Sequence, residues 1–188
     1  MRTAIVLSAL LLAAAVAAPG ARANMIVIGG GLALDCYKAA EYGHGTDTTI
    51  CDRALDEPMI NRDRAATYVN RSVLRLRANN ADAALADCDT SIRINSQLGE
   101  AFVNRGAALM SLGRPAEAIE SLSHGIALGV VKMHYAYYDR AMAREDSGDL
   151  KGAYEDYQHA LAADPSFTLA ADQLRRFKVV PASATHSS

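Results

Sequence analysis

The stretch that decides the fold is residues 137–165, YYDRAMAREDSGDLKGAYEDYQHALAADP. Its opening has two earlier counterparts in the chain, YVNRS at 68–72 and FVNRG at 102–106. The arginines of the three strings lie 34 and then 35 residues apart. Self-similarity at a period of this length indicates stacked structural repeats, so we expect a repeat architecture over this part of the chain.

Each repeat has the pattern of two helices joined by a short turn. In the first unit, apolar residues at helical spacing predict one helix over about 63–78 and a second over about 82–94. Between them lies Asn79, and later units have Gly113 and Gly148 at this place, where a helix needs a left-handed end residue. Small residues recur where the paired helices must approach closely. They are Ser72, Gly106 and Ala141 on the first helices and Ala84, Ala118 and Ala153 on the second.

This organisation resembles the tetratricopeptide repeat (TPR) family. The resemblance covers residues 65–167 as three units, 65–98, 99–133 and 134–167, and Asp164-Pro165 closes the third. The main departure is an arginine where the family usually has leucine, at Arg71, Arg105 and Arg140. The resemblance implies an all-α fold, an α-solenoid of antiparallel helix pairs, with a short helical hairpin before it and a capping helix after it.

The first 23 residues have the pattern of a secretory signal peptide. Arg2 precedes an apolar run from Ile5 to Ala18, and Ala21-Arg22-Ala23 is a small-residue cleavage site. The run is too short for a stable membrane span, so we expect none after cleavage; an uncleaved membrane anchor is the alternative. The Asn-Arg-Gly repeat variant behind such a segment is similar to exported bacterial TPR proteins, which implies a periplasmic or secreted location.

Residues 24–62 are predicted to be a leader with a degenerate, shortened repeat. One helix is expected over 36–42, and a second from a cap at Thr46 or Asp47 to about Glu57. In such an antiparallel pair Cys36 and Cys51 come close enough for a disulfide, which an exported chain can form. The alternative is three reduced, buried cysteines. Cys88 lies at a core position and is expected to be an inert small hydrophobe.

The C-terminal region after the third unit is expected to close the array. Residues 168–178, with apolar side chains at Leu169, Leu174 and Phe177, are predicted to form a capping helix. Residues 179–188 are small and polar, and we expect them to be disordered.

The apolar run and glycines of residues 25–31, MIVIGGG, are also compatible with the start of a dinucleotide-binding domain. That fingerprint needs Gly29, Gly31 and a third small residue at position 34, where this chain has Leu34. It also needs a second parallel strand, and none is predicted. We therefore expect a partly apolar leader here, and no cofactor.

Charge and histidine placement argue against nucleic-acid binding, metal binding and catalysis. The chain has 19 basic and 21 acidic residues; without Arg2 and Arg22 its formal charge falls from −2 to −4, so no basic face is expected. The five histidines do not converge, and His124 and His159 occupy the same outward place in units two and three. We expect no metal site and no enzymatic activity.

The resemblance to TPR proteins implies a binding surface. In that family the first helices of the units line a concave groove that holds extended segments of partner proteins. Carried over by position, the groove would contain Val69, Asn70, Val73, Val103, Asn104, Ala107, Tyr135, Tyr138, Asp139 and Met142. In some TPR proteins, residues at fixed places of the groove clamp the terminal carboxylate of the partner. Those places hold Val69, Val73, Tyr135 and Asp139 here, so such a clamp is not expected. The acidic, tyrosine-bearing third unit instead favours a basic or aromatic segment as the ligand.

The sequence therefore predicts an exported adaptor or assembly factor that binds another protein or peptide. Two alternatives stay open. One is a self-associating structural module, which would be a homo-oligomer. The other is an enzyme, either nucleotide-dependent through residues 29–31 or redox-active through the cysteines.

Overall fold

The computed structural model describes residues 31–177, which contain nine α-helices and no β-strand. The helices are α1 (Leu32–Tyr42), α2 (Thr49–Asp56), α3 (Asn61–Arg77), α4 (Ala81–Ile94), α5 (Gly99–Ser111), α6 (Pro115–Leu128), α7 (Met133–Asp146), α8 (Leu150–Ala163) and α9 (Thr168–Leu174). Within this range, no helix has the length and apolarity needed to cross a membrane. The predicted signal peptide (1–23) and the predicted tail (179–188) lie outside the described residues.

The helices pack in consecutive pairs. The pairs α3–α4, α5–α6 and α7–α8 are each in close contact, and each pair contacts the next through α4–α5 and α6–α7. The first helices also touch one another in series, α3 with α5 and α5 with α7. The predicted α-solenoid of helix pairs is therefore confirmed. The α3–α4 pair, the first of the three repeat units, begins slightly earlier than predicted. Its first helix, α3, starts at Asn61 and not at about residue 63.

The turns inside the pairs have the predicted left-handed residues. Asn79, Gly113 and Gly148 have φ angles of 57°, 68° and 82°. After each of them the next backbone N–H returns to a carbonyl five residues earlier, as in Asn80 N to Arg75 O at 2.9 Å. This arrangement closes one helix and frees the Asn80 side chain to cap the next, where it accepts a bond from Ala83 N.

Close approach within each pair depends on the recurring small residues. A Cβ atom added to Gly106 would lie 2.5 Å from Cγ of Leu122, which is fully buried. The other small residues of these faces are also buried: Ser72, Ala84, Ala118, Ala141 and Ala153. Their burial agrees with the predicted close packing, in which a larger side chain would be expected to separate the helices.

Buried ion pairs join the two helices of the first and third pairs. Arg71 donates from Nε and Nη2 to the Asp87 carboxylate at 2.9 and 2.7 Å. Arg140 makes the same two bonds to Asp156 at 2.8 and 2.7 Å. Two of the three arginines at this repeat position thus form bidentate, charge-assisted bonds between the helices of their own pair. A second arginine one turn later reaches the same carboxylate, Arg75 in the first pair and Arg144 in the third.

The leader contains the predicted helical hairpin, with different boundaries. The first helix, α1, begins at Leu32 and not at Cys36, because Gly31 at φ 101° starts the helix and accepts bonds from two amides of the first turn. The second, α2, begins at Thr49. The Sγ atoms of Cys36 and Cys51 lie at the disulfide distance of 2.08 Å, and both residues are buried against Leu74 of α3.

The capping helix is shorter than predicted. It covers Thr168–Leu174, whereas the expected range was 168–178, and Lys178 lies outside the described residues. Backbone bonds from Phe177 N to Leu174 O end the helix in a turn. The turn places the Phe177 ring against Tyr154 and Tyr157 of α8, so the end of the core is closed by an aromatic side chain.

Candidate functional site

A cavity of about 630 Å³ lies along the row of first helices. It is bounded by α1, α3, α5 and α7 and by the linker between α6 and α7; we call it the groove. Its lining residues are Tyr37, Ala40, Glu41, Ala66, Val69, Asn70, Val73, Arg77, Leu98, Glu100, Val103, Asn104, Val130, Val131, Lys132, Tyr135 and Asp139. Ten of these residues are aliphatic or aromatic, and the other seven are polar or charged.

Seven of the ten residues predicted for the groove lie in it: Val69, Asn70, Val73, Val103, Asn104, Tyr135 and Asp139. Ala107, Tyr138 and Met142 do not line it. The ring of Tyr138 instead packs between Tyr157 and Phe167 at 5.5 and 5.4 Å, inside the third pair. Met142 lies one turn further along α7, where it is exposed.

The leader supplies a wall of the groove that sequence reasoning missed. Tyr37, Ala40 and Glu41 of α1 continue the row of first helices. Lys132 Nζ and Glu41 Oε1 form an ion pair at 2.5 Å across 91 residues of sequence. A signal for this wall existed, because the hairpin resembles a degenerate repeat and its first helix would extend the row.

The position of α1 is fixed from α3. Arg77 donates from Nη2 to Ala40 O at 2.6 Å and from Nη1 to Ala39 O at 3.2 Å. These carbonyls belong to the last turn of α1 and have no partner within their own helix, so a cation there is doubly favourable. Arg77 therefore holds the groove wall in place from the groove side.

Asn70 presents an unsatisfied donor at the groove. Its Nδ2 atom is buried, yet it has no hydrogen-bond partner among residues 31–177. A buried amide without a partner costs about 1–3 kcal/mol, so a native protein keeps one only for a reason. The matching residue of the second unit, Asn104, donates from Nδ2 to Ser72 Oγ at 3.4 Å. Asn70 lines the groove, so a turn of its side chain would bring this donor to an acceptor bound there.

Asp139 presents an unpaired carboxyl group in the same groove. It makes no hydrogen bond or ion pair with the described residues. Burial raises the pKa of Asp139 from 3.8 to about 7, because protein surrounds most of the group while the groove leaves part of the residue open. The other ionisable residues of the groove are Tyr37, Glu41, Arg77, Glu100, Lys132 and Tyr135.

The described histidines and the free cysteine do not gather into a metal or nucleophilic site. No group of three or more metal-ligating side chains occurs within 31–177. His124 stacks on Phe102 and His159 on Tyr137, on separate repeats. Cys88 is buried, and burial raises the pKa of its thiol to about 12, so it carries no reactive thiolate at neutral pH.

Comparison with known proteins agrees with the repeat pattern. Residues 134–167 match a family model described as the tetratricopeptide repeat. Residues 134–167 are thus similar to one tetratricopeptide repeat. This is the unit built from α7 and α8, and the two earlier helix pairs have equivalent turns and small residues. No curated protein matches the sequence.

Solved TPR structures share the fold. The TPR domain of OM64 from Arabidopsis superposes with a TM-score of 0.59 at 22% identity, covering 62% of this chain and 96% of that domain. The second TPR domain of human RPAP3, in complex with the HSP70 peptide SGPTIEEVD, gives 0.58 at 20% identity, covering 62% and 97%. The protein MamA gives 0.58 at 18% identity, covering 66% and 71%. At these identities the likeness establishes the fold alone.

Proposed function

We propose that this protein is a non-enzymatic adaptor that holds an extended segment of a partner protein in the groove. The observation that carries the proposal is the buried, unpartnered Nδ2 of Asn70 beside an apolar cavity. A backbone carbonyl of a bound peptide would supply the missing acceptor once the Asn70 side chain turns toward the groove. The human RPAP3 domain with the same fold is solved with a peptide, which supports a peptide as the ligand.

The ligand carries a basic side chain that meets Asp139. A lysine or arginine there would pair with a carboxylate that has no partner in the protein, and would favour its ionised form. The groove supplies no comparable site for an acidic residue, since Arg77 bonds to α1 and Lys132 bonds to Glu41. Apolar side chains of the ligand would contact Val73, Val103 and Tyr135.

The protein functions outside the cytoplasm. Two observations support this part of the proposal: residues 1–23 have the pattern of a signal peptide, and the groove wall α1 is joined to α2 by Cys36–Cys51. Disulfides persist in oxidising compartments. Mass spectrometry of the protein purified from its host should give a chain beginning at Asn24, and a chain that retains residues 1–23 would contradict export by cleavage.

The ligand class can be tested by selecting peptides from a random display library on the wild-type protein. We expect the selected peptides to contain lysine or arginine within an apolar context. Binding should weaken about tenfold or more in Asn70→Ala, since the lost bond is a buried one, and similarly in Val73→Arg, which fills the groove.

The matched control is Met142→Ala, which changes an exposed residue of α7 outside the groove. This variant should bind the selected peptides as the wild type does. If peptides bind Asn70→Ala and Val73→Arg undiminished, the groove is not the binding site. If the library yields nothing and the protein elutes as a stable dimer, self-association is the better account.

A further inference from the structure

The arginine that recurs in each repeat can bond to two other helices, one in the preceding helix pair and one in its own pair. Arg71 reaches back to Asp52 of α2 through Nη1 at 2.7 Å and holds Asp87 of α4 through Nε and Nη2. Arg140 reaches back to Ser123 of α6 at 2.9 Å and holds Asp156 of α8. Each guanidinium thus bonds one residue of the preceding pair and one carboxylate of its own pair.

Arg105, the equivalent arginine of the second pair, bonds to the preceding pair but to no carboxylate of its own pair. Arg105 donates from Nε to Asp89 Oδ1 at 2.8 Å, and Asp89 corresponds to Asp52. The place of the own-pair carboxylate is held by Ser121, which donates to Phe102 O at 2.9 Å instead. Among residues 31–177, Nη1 and Nη2 of Arg105 have no hydrogen-bond partner.

A cavity of about 500 Å³ opens beside this arginine. It lies between α4 and α6 with α5 as its floor, on the side away from the groove, and we call it the rear pocket. Arg105 and Ser121 line it together with Ile92 and with Phe102, whose ring stacks on His124 at 4.3 Å. The pocket therefore places an open guanidinium edge next to an apolar and aromatic surface.

We propose that the rear pocket is a binding site for a carboxylate, which pairs with the open edge of Arg105 while an adjoining apolar or aromatic group contacts Phe102 and Ile92. A guanidinium that bonds two carboxylates at once already exists in this chain, in Arg71 with Asp52 and Asp87. A ligand carboxylate would give Arg105 the same environment, with Asp89 as the first acid. The site is separate from the groove, and its test does not depend on the groove.

The charges of the rear pocket select a singly charged ligand. Asp89 is paired with Arg105, and Glu117 is paired with Arg114 at 2.7 Å, but Glu120 and Arg93 also line the pocket. A phosphate dianion would meet these acids with twice the charge. The second arginine that helps to hold Asp87 and Asp156 is replaced by Leu109 in this pair, so we expect a modest Kd on the order of 1 mM.

The test uses N-acetylphenylalanine, with N-acetylphenylalaninamide as the uncharged control of the same shape. We expect the acid to shift the NMR signals of Arg105 Nε–H and of the amides around Ser121 and His124 in a saturable way. Arg105→Gln should weaken binding about tenfold or more, because charge-assisted bonds are lost. Arg105→Lys should recover little, since the planar fork is gone.

Two further variants and one control sharpen the result. Ser121→Asp supplies the missing carboxylate from the protein and should abolish binding of the acid. Glu120→Gln removes a competing charge and should tighten binding. Arg175→Gln, which removes an exposed arginine on α9, should bind as the wild type does.

The source of the carboxylate is distinguished by a second titration. A blocked peptide, acetyl-Ala-Glu-Phe-Ala-amide, is compared with its glutamine counterpart; tighter binding of the glutamate peptide than of the small acid would indicate a partner's side chain. Weaker binding of the peptide would indicate a free small acid. Equal binding of acid and amide, or undiminished binding to Arg105→Gln, would overturn the proposal.

Discussion

Replacing Asp139 by asparagine should stabilise the protein at pH 8 and have almost no effect at pH 4. Burial raises the pKa of Asp139 from 3.8 to about 7 in the folded chain. A carboxyl group with a raised folded-state pKa binds more protons in the folded than in the unfolded chain, so it destabilises the fold increasingly as the pH rises between these two values. Above about pH 7 both states ionise and the loss is constant.

The size of the effect follows from the same numbers. A rise from 3.8 to about 7 corresponds to about 4 kcal/mol at pH 8. Because the groove leaves part of the Asp139 residue open to water, which screens the charge, we expect about half of this, about 2 kcal/mol. For a chain of this length that is a rise in Tm of about 6 °C in Asp139→Asn.

The assay is thermal unfolding of wild type and variant from pH 4 to pH 9. The Tm difference should be near zero at pH 4, grow up to about pH 7 and then level off. Asp146→Asn, at an exposed position near the end of the same helix, controls for the loss of one negative charge. A Tm difference that does not change with pH, or an Asp139→Asn variant that is less stable than wild type at pH 8, would refute the reasoning. The same substitution should weaken binding of basic peptides. Asp139 would then lower the stability of the free protein while it contributes to ligand binding.

Three further outcomes are expected. Replacing Cys36 and Cys51 by serine opens a 15-residue loop and should cost about 3 kcal/mol of stability, with loss of peptide binding, since α1 forms a wall of the groove; wild-type affinity in this variant would show that the wall is dispensable. Cys88 should resist maleimide labelling at pH 8 in the folded protein and react once in denaturant, as mass spectrometry would show, because burial raises its thiol pKa to about 12. Gly106→Ala should lower the free energy of unfolding in urea by about 1–3 kcal/mol, because the new methyl group meets a buried leucine at 2.5 Å. The matched Gly45→Ala variant, with open space around the added atom, should not.

The helix pairs could be predicted because each depends on short-range signals. A left-handed residue such as Asn79 or Gly148 marks a turn, and an alanine such as Ala153 marks a close contact, at fixed offsets that recur in every unit. A structural feature that recurs at the same position in all three units is therefore supported by three separate stretches of sequence. The start of α1 was missed because Gly31 ends no repeat and its φ of 101° depends on the leader alone.

The groove was predicted less completely because its outline depends on contacts between distant units. Tyr138 has the right offset for the groove, yet its ring turns to Phe167, which lies after α8 at the very end of the third unit. The Lys132–Glu41 contact has no local signature at all. The rear pocket did have a signal in the sequence. The residue sixteen places after the repeat arginine is aspartate in the first and third units, but it is Ser121 in the second.

The contact between Lys132 and Glu41 has a consequence for the mechanics of the array. In a solenoid each unit touches its neighbours, so small changes in the angles between units add up along the chain and alter its curvature. This contact joins α1 to the linker before α7, and so links two parts of the array that are not neighbours along the chain. It is an ion pair between partly exposed side chains, which dissolved salt screens over about 8 Å at physiological ionic strength. Raising the ionic strength should therefore weaken this one tie across the groove, while the buried contacts within each helix pair stay as they are.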